Sequence, residues 1–134
     1  DETLKRLATE PDPRLATLYF EIHLLDLVGS RPEAQQCVVG HEPVEAQDQV
    51  FSYADGGVIC PLHAPVRSEG VTPLPLSTLK LLRHVQRSRW AELRSLQIST
   101  NLADDAERVL LGYITWLLER RLQSVDFIRR LRQP

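Results

Sequence analysis

The sequence contains no methionine and only two cysteines, Cys37 and Cys60. Two cysteines are too few for a disulfide scaffold, and a cytosolic protein keeps such thiols reduced. Long apolar runs are also missing: the longest, around residues 22–28, is interrupted by His23 and Asp26, whereas a membrane span needs roughly 20 apolar residues. The polar first residues show no signal peptide pattern, and the missing initiator methionine predicts a fragment or a processed product. We therefore expect a cytoplasmic protein.

Recognisable catalytic motifs are absent as well. Residues 41–45 begin like a zinc-protease motif, but Pro43 would break the helix that this motif requires, and no second histidine follows at the required spacing. The Gly-Gly pair at 56–57 is typical of a hairpin turn and not of a phosphate-binding loop. Cys60 and His63 could imitate a nucleophile and its base, yet no orienting group or oxyanion donor is recognisable. The sequence predicts a protein that is not an enzyme, with a small hydrolase using Cys60 or a catalytic zinc as the weaker alternative.

Charge is distributed unevenly along a chain of 134 residues that is 43% hydrophobic and fits one globular domain. Residues 1–79 carry 5 Lys and Arg against 12 Asp and Glu, whereas residues 80–134 carry 11 against 6. The basic half could meet an anion such as nucleic acid or an acidic tail. Alternatively, the two halves neutralise each other when they pack together.

The first long apolar pattern predicts a helix from Pro13 to Val28, since Asp12 is suited to cap its start and Gly29 to end it. A short helical piece is expected before it, ending near Glu10. The predicted buried positions of the long helix recur at helical spacing: Leu15, Leu18, Tyr19, Ile22 and Leu25.

Helical periodicity returns after residue 74. One helix begins at Pro75 or Ser77, and a short one is expected within residues 88–96. The longest helix is predicted over residues 99–122, and Ser124 is expected to cap a final helix at 125–132. The inner face of the longest helix is predicted to consist of Leu102, Ala106, Val109, Leu110, Tyr113 and Leu117.

Between residues 30 and 75 the chain is rich in proline and glycine, which excludes long helices. Val50 to Tyr53 and Val58 to Cys60 are predicted to pair as a hairpin across Asp55-Gly56-Gly57. The predicted fold is therefore mainly α: a helical domain, residues 1–34 and 69–134, with a small β-hairpin and zinc-knuckle-like insertion at residues 35–68.

Both cysteines have a histidine close by in this insertion. Cys37 and His41 form a C-x₃-H pair, and Cys60 and His63 form a C-x₂-H pair. Zinc prefers four such ligands, in two close pairs, and an insertion that buries little apolar surface needs a staple of this kind. Three interpretations stay open: a zinc site, a metal-free insertion held by hairpin packing, or a Cys37–Cys60 disulfide in an oxidising compartment.

Basic side chains cluster in the second half of the chain. Lys80, Arg83 and Arg87 share one helical face. A second group lies near the C-terminus: Arg120, Arg121, Arg129, Arg130 and Arg132. These groups suit phosphate or carboxylate contact, but a solvated helix face is the simpler interpretation for each of them.

Trp90 and Trp116 are expected to anchor the core, with base stacking as the weaker alternative. His23 is expected to be satisfied at the edge of the core, and His84 to be solvated.

The order of these features resembles the C-terminal region of the bacterial recombination mediator RecO. The resemblance covers essentially the whole chain and includes a first element with Phe20, Glu21, Leu24, Leu25 and Gly29. A Gly-Gly-x-x-Cys element matches at Gly56, Gly57 and Cys60, and a closing helical element resembles the family at Leu118, Glu119, Leu122, Ser124 and Phe127. The two CxxC pairs of the family become Cys37-x-x-Gly40, with His41 one step later, and Cys60-x-x-His63.

This resemblance implies a DNA repair factor without catalysis of its own. It implies binding of single- and double-stranded DNA, strand annealing, and loading of RecA together with RecR. It also implies that the acidic tail of single-stranded-DNA-binding protein docks on the helical region, and that the N-terminal OB-fold of the family is absent from this chain. The change to histidine could preserve a Cys₂His₂ zinc site, although some family members lack the metal. An interaction module with a structural zinc knuckle and no DNA binding is the alternative function.

Overall fold

The computed structural model describes residues 4–5, 11–67 and 69–133, and these are mainly helical. The helices are α1 (Pro13–Leu27), α2 (Leu76–Arg87), α3 (Trp90–Leu93) and α4 (Thr100–Leu131), with a 3₁₀ turn at Ala64–Val66. The strands are β1 (Leu4–Lys5), β2 (Gln49–Ser52), β3 (Gly57–Ile59), β4 (Val71–Leu74) and β5 (Gln97–Ile98). The predicted fold class, a helical domain with a small β-hairpin insertion, is confirmed. In the part of the chain that is described, no helix is long and apolar enough to cross a membrane.

Helix α1 begins and ends where the sequence predicts, within one residue. The side chain of Asp12 accepts a hydrogen bond from the backbone N–H of Arg14, and Pro13 supplies the first helical position. The helix stops at a turn that Gly29 makes possible, because its φ of +81° is costly for other residues. Most of the expected helical piece ending near Glu10 lies outside the described residues. Its described part, Leu4–Lys5, is not helical but forms strand β1, which pairs with β5.

The predicted hairpin is confirmed and belongs to a three-stranded antiparallel sheet, in the order β3-β2-β4. Val50 lies opposite Ile59 on one side and Pro73 on the other. Strand β4 was not expected, because Pro73 cannot donate a ladder hydrogen bond; β4 is an edge strand, where a proline is tolerated. The sheet therefore continues to Leu74, past the boundary at residue 68 that the sequence suggests for the insertion.

The prediction of two helices separated at Ser124 is wrong, because a single helix, α4, covers both segments. The helix is continuous over 32 residues, and its N-cap is Ser99, whose side chain accepts from the backbone N–H of Leu102. The hydroxyl of Ser124 donates instead to the carbonyl of Arg120, one turn back, at 3.1 Å. A serine satisfied in this way is compatible with a helix interior, and no proline or glycine interrupts the chain between Gly112 and the end of α4.

One core joins the helices to the sheet. Phe51 and Val58 of the sheet lie in the same buried cluster as the leucines of α1, α2 and α4. The buried residues of α4 are Leu102, Ala103, Ala106, Val109, Leu110 and Tyr113. Trp90 packs against this core as predicted, and His23 is satisfied by the carbonyl of Val85 at 3.2 Å.

Trp116 is not a core anchor but lines grooves on the surface, because the core ends beside it. From Leu118 onward every described residue of α4 is exposed. We call residues 118–131 the α4 extension. Its length is about 20 Å at the usual helical rise.

Candidate metal centre and binding surfaces

Four side chains of the insertion converge on one point: Cys37, Glu42, Cys60 and His63. Their ligand atoms all lie within 4.8 Å of one another. Nδ1 of His63 is 3.0 Å from Sγ of Cys60, 3.7 Å from Sγ of Cys37 and 3.0 Å from Oε1 of Glu42. In tetrahedral zinc sites, ligand atoms are about 3.4–3.8 Å apart. The 3.7 Å separation lies in this range, whereas the 3.0 Å separations are hydrogen-bond distances that would have to lengthen around an ion. Two sulfurs, one nitrogen and one oxygen are donor atoms that zinc accepts, and the group could hold a metal ion.

Two backbone segments bring these side chains together. Cys37 and Glu42 are joined across a tight turn in which the N–H of Cys37 donates to the carbonyl of Glu42 at 2.9 Å. Cys60 directly follows β3, and its carbonyl accepts from the N–H groups of His63 and Ala64, so that His63 turns back toward Cys60. The hairpin and the turn thus each contribute one half of the site.

The surroundings of Cys37 favour a thiolate. Burial alone would raise the pKa of this thiol, but backbone N–H groups of Gly40 and Cys60 donate to its sulfur at 3.4 and 3.5 Å and lower the pKa to about 7. Cys60 differs, because burial and its hydrogen bond to Glu42 raise the pKa of its thiol. The same hydrogen bond lowers the pKa of the Glu42 carboxyl. A thiolate is the form of cysteine that binds metals, and N–H···S bonds of this kind are usual around such ligands.

His41 is the one predicted ligand that lies outside this group. It is exposed, and its backbone adopts a left-handed conformation, φ +67°, where the turn returns toward the site. Glu42 takes the fourth position, and carboxylates are accepted zinc ligands. The only sequence signal for Glu42 is its place directly after the first Cys/His pair.

Gly40 explains why the turn accepts Glu42. A Cβ atom at this position would collide with the carboxylate of Glu42 and the ring of His63. The glycine that departs from a CxxC pair therefore provides the space in which those two side chains approach each other.

An ion pair fastens the segment that carries His63 to the hairpin. Arg67 donates to Asp55 through Nε at 2.8 Å and through Nη2 at 3.1 Å, and Ser52 donates to the same carboxylate. Chiefly because of the Arg67 hydrogen bond, the pKa of Asp55 lies below its usual range. The residues between Cys60 and Arg67 are thereby held at both ends.

The basic face predicted on α2 divides into two parts. Arg83 donates to the carbonyls of Ala34 and Val44, at 2.8 and 3.3 Å, and so binds the loop that carries the first half of the metal site. Lys80 and Arg87 are exposed and line a cavity of about 730 Å³ at one side of α2. The other residues that line the cavity are Asp48, Pro75, Leu76, Ser77, Leu81, Arg83, His84 and Leu102. The half-buried His84, expected to be solvated, faces this cavity.

The arginines near the C-terminus are all exposed, four of them on α4 and Arg132 directly after its last residue. Arg130 pairs with Asp126 at 2.8 Å. Arg120 lines a shallow groove together with two aromatic residues that the sequence did not connect with it, Trp116 and Phe127. Their spacing along one helix face, at 116, 120 and 127, could have indicated this groove, but a prediction that places Trp116 in the core excludes it.

The fold and the site together define a helical domain with an inserted Cys/His/Glu knuckle. Comparison with protein families shows the group to which it belongs: residues 1–126 match the family described as recombination protein O C terminal, and the chain is a member of that family. The resemblance that the sequence suggested is thereby confirmed.

Several curated relatives bear the name DNA repair protein RecO. One from Dehalococcoides mccartyi is 31% identical over 96% of this chain and 50% of its own length. Relatives from a Roseiflexus species and from Symbiobacterium thermophilum are 31% and 34% identical, over 98% and 92% of this chain and 46% and 48% of their own lengths. The chain thus spans about half the length of these relatives. No solved structure matches it.

Proposed function

We propose that this chain is the protein-docking and DNA-binding part of a recombination mediator that acts without catalysis. Family membership and the names of the relatives support a role in DNA repair. Within that role we propose that it binds single- and double-stranded DNA and works with RecR to promote strand annealing and RecA loading. Such a factor would act at the nucleoid, in the cytoplasm.

The observation that carries the docking part of this proposal is the cavity beside α2. Lys80 and Arg87 lie at an opening whose other walls include the apolar side chains of Leu76, Leu81 and Leu102. An acidic peptide with an aromatic residue suits such a place, since its carboxylates pair with the cations while its ring enters the apolar part. We infer that the acidic tail of single-stranded-DNA-binding protein binds here. Arg83 serves this site indirectly, because its guanidinium is bound to backbone carbonyls.

The groove around Trp116 supports the DNA-binding part. Trp116 and Phe127 offer aromatic faces for unpaired bases, and Arg120 lies between them for phosphate contact. Stacking on aromatic side chains beside cations is how proteins bind single strands without reading sequence.

We further propose a structural zinc ion held by Cys37, Glu42, Cys60 and His63. A zinc ion in a closed site of this kind supplies folding energy and keeps two loop segments together. The ligand set predicted from the sequence includes His41; we propose Glu42 in its place, because His41 lies outside the group.

Two binding measurements test the proposal. Fluorescence anisotropy at low salt should show that the chain binds an acidic peptide ending in phenylalanine, and that Lys80→Glu combined with Arg87→Glu weakens this binding at least about tenfold. Arg89→Glu is the matched control, since Arg89 is exposed nearby but does not line the cavity. Equal binding by the two variants would contradict the docking site.

An oligo(dT) strand provides the second measurement. Binding should weaken steeply with salt and should be lost in Trp116→Ala, whereas the peptide affinity should not change. If the chain binds the peptide but no DNA at low salt, it is an interaction module without DNA binding of its own. A defined turnover abolished by alkylation of Cys60 would instead support the hydrolase alternative.

A further inference from the structure

Helix α4 carries a line of exposed apolar side chains, three of them on the α4 extension, that the functions proposed above do not use. Leu111, Leu118, Leu122 and Val125 are 61%, 58%, 69% and 47% exposed. Leu111, Leu118 and Val125 are spaced by seven residues, and Leu122 lies one turn after Leu118, so the four share one side of the helix. We call this set the α4 apolar line. A continuous exposed strip of large apolar side chains marks an interaction surface more often than isolated ones do.

Charge determines what kind of helix would fit. Arg121 is three residues after Leu118, and Arg129 is four residues after Val125, so both flank the α4 apolar line. Two acidic residues also lie beside the line: Glu119 is three residues before Leu122, and Asp126 is paired with Arg130. Arg121 and Arg129 outnumber Glu119 beside the line, so an acidic partner helix suits it better than a second copy of α4, which would bring its own arginines.

We propose that the α4 apolar line is a docking site for an acidic amphipathic helix of a partner protein. The partner helix packs leucine-type side chains against Leu118, Leu122 and Val125, and its Glu or Asp residues pair with Arg121 and Arg129. This site is distinct from the groove around Phe127, which lies nine residues after Leu118, or two and a half turns, and so on the opposite side of the helix. It is also separate from the cavity beside α2.

The probe is a designed 21-residue amphipathic helical peptide with leucines at heptad a and d positions and glutamates beside them. Calorimetric titration of the chain should show saturable binding of this peptide, and a peptide with lysine in place of glutamate should bind at least about tenfold more weakly. The double variant Leu118→Ser, Leu122→Ser should lose at least about tenfold in affinity for the glutamate peptide. Phe127→Ser is the matched control, since it removes an equally exposed apolar side chain from the opposite side, and its affinity should stay within about twofold.

Reversing the charge of the two arginines gives a result that misfolding cannot imitate, because an unfolded variant would lose binding of both peptides. Arg121→Glu with Arg129→Glu should reverse the preference, so that the lysine peptide binds more tightly than the glutamate peptide. Absence of saturable binding, equal binding of the two peptides, or equal loss in the Phe127→Ser control would overturn the proposal. So would sedimentation showing that the chain dimerises through this side, or full displacement of the glutamate peptide by oligo(dT).

Discussion

At the scale of single residues, Arg83 and Gly40 have structural roles that their residue types and sequence patterns do not indicate. Arg83 belongs to a row of cations in the sequence, yet its guanidinium holds the backbone carbonyls of Ala34 and Val44. Gly40 interrupts a CxxC pair, yet the space it leaves allows Glu42 and His63 to approach each other. In both cases the role depends on atoms distant in sequence, which residue type and spacing alone do not specify.

The four candidate ligands yield the first prediction. Glu42→Ala should weaken zinc binding at least about tenfold, because it removes one of four donors, whereas His41→Ala should leave zinc binding unchanged. Competition with a chromophoric chelator measures both affinities, and Cys37→Ser provides a reference for the loss of a sulfur ligand. A large loss in His41→Ala would show that the turn rearranges around the metal and that the ligand set predicted from the sequence is correct.

At the scale of secondary-structure elements, the clearest differences concern α4 and β4. Ser124 is a strong helix-capping residue type, but its hydroxyl bonds back to Arg120 and the helix continues. Pro73 makes β4 hard to predict from the sequence, because proline cannot donate a ladder hydrogen bond. The proline is tolerated here because β4 is an edge strand. Element α1, in contrast, could be predicted to within a residue, because its cap, its first proline and its final glycine all lie in the local sequence.

The exposed end of α4 yields the second prediction. Ser124→Pro should reduce the helical circular dichroism signal by unwinding the α4 extension, while the midpoint of urea unfolding changes little, because residues 118–131 are all exposed. Val109→Pro is the comparison: Val109 is fully buried in the core, so that variant should not fold. An equal loss of stability in both variants would mean that the extension packs against the rest of the chain.

At the scale of the whole molecule, the helical domain and the insertion behave as one body because they share a core. The sequence predicts that the insertion is small and poor in apolar residues, and it predicts the cysteines and His63 of the candidate site. It does not predict that Phe51 of the hairpin packs edge-on against Tyr113 of α4, at a ring-centre distance of 5.4 Å. Such contacts join segments more than sixty residues apart, and only the tertiary arrangement reveals them.

The shared core yields the third prediction. Phe51→Ala should lower the free energy of unfolding of the whole chain by about 3–5 kcal/mol, since it empties a fully buried site. Phe20→Ala should change that free energy by less than about 0.5 kcal/mol, because Phe20 is largely exposed. Urea unfolding followed by circular dichroism and by tryptophan fluorescence should give one coincident transition for each variant. Two separate transitions would show that the insertion unfolds independently of the helices.

Because the backbone of α4 is uninterrupted, two ligands bound at the same time at opposite ends of the molecule would be held rigidly relative to each other. A continuous helix of 32 residues measures about 48 Å, and no flexible hinge separates its buried root from its free tip. A DNA strand bound near the tip of α4 and a peptide bound beside α2 would therefore be held at a fixed distance and orientation. Binding of one ligand would place the other at a defined position, whereas a flexible linker would allow a range of positions.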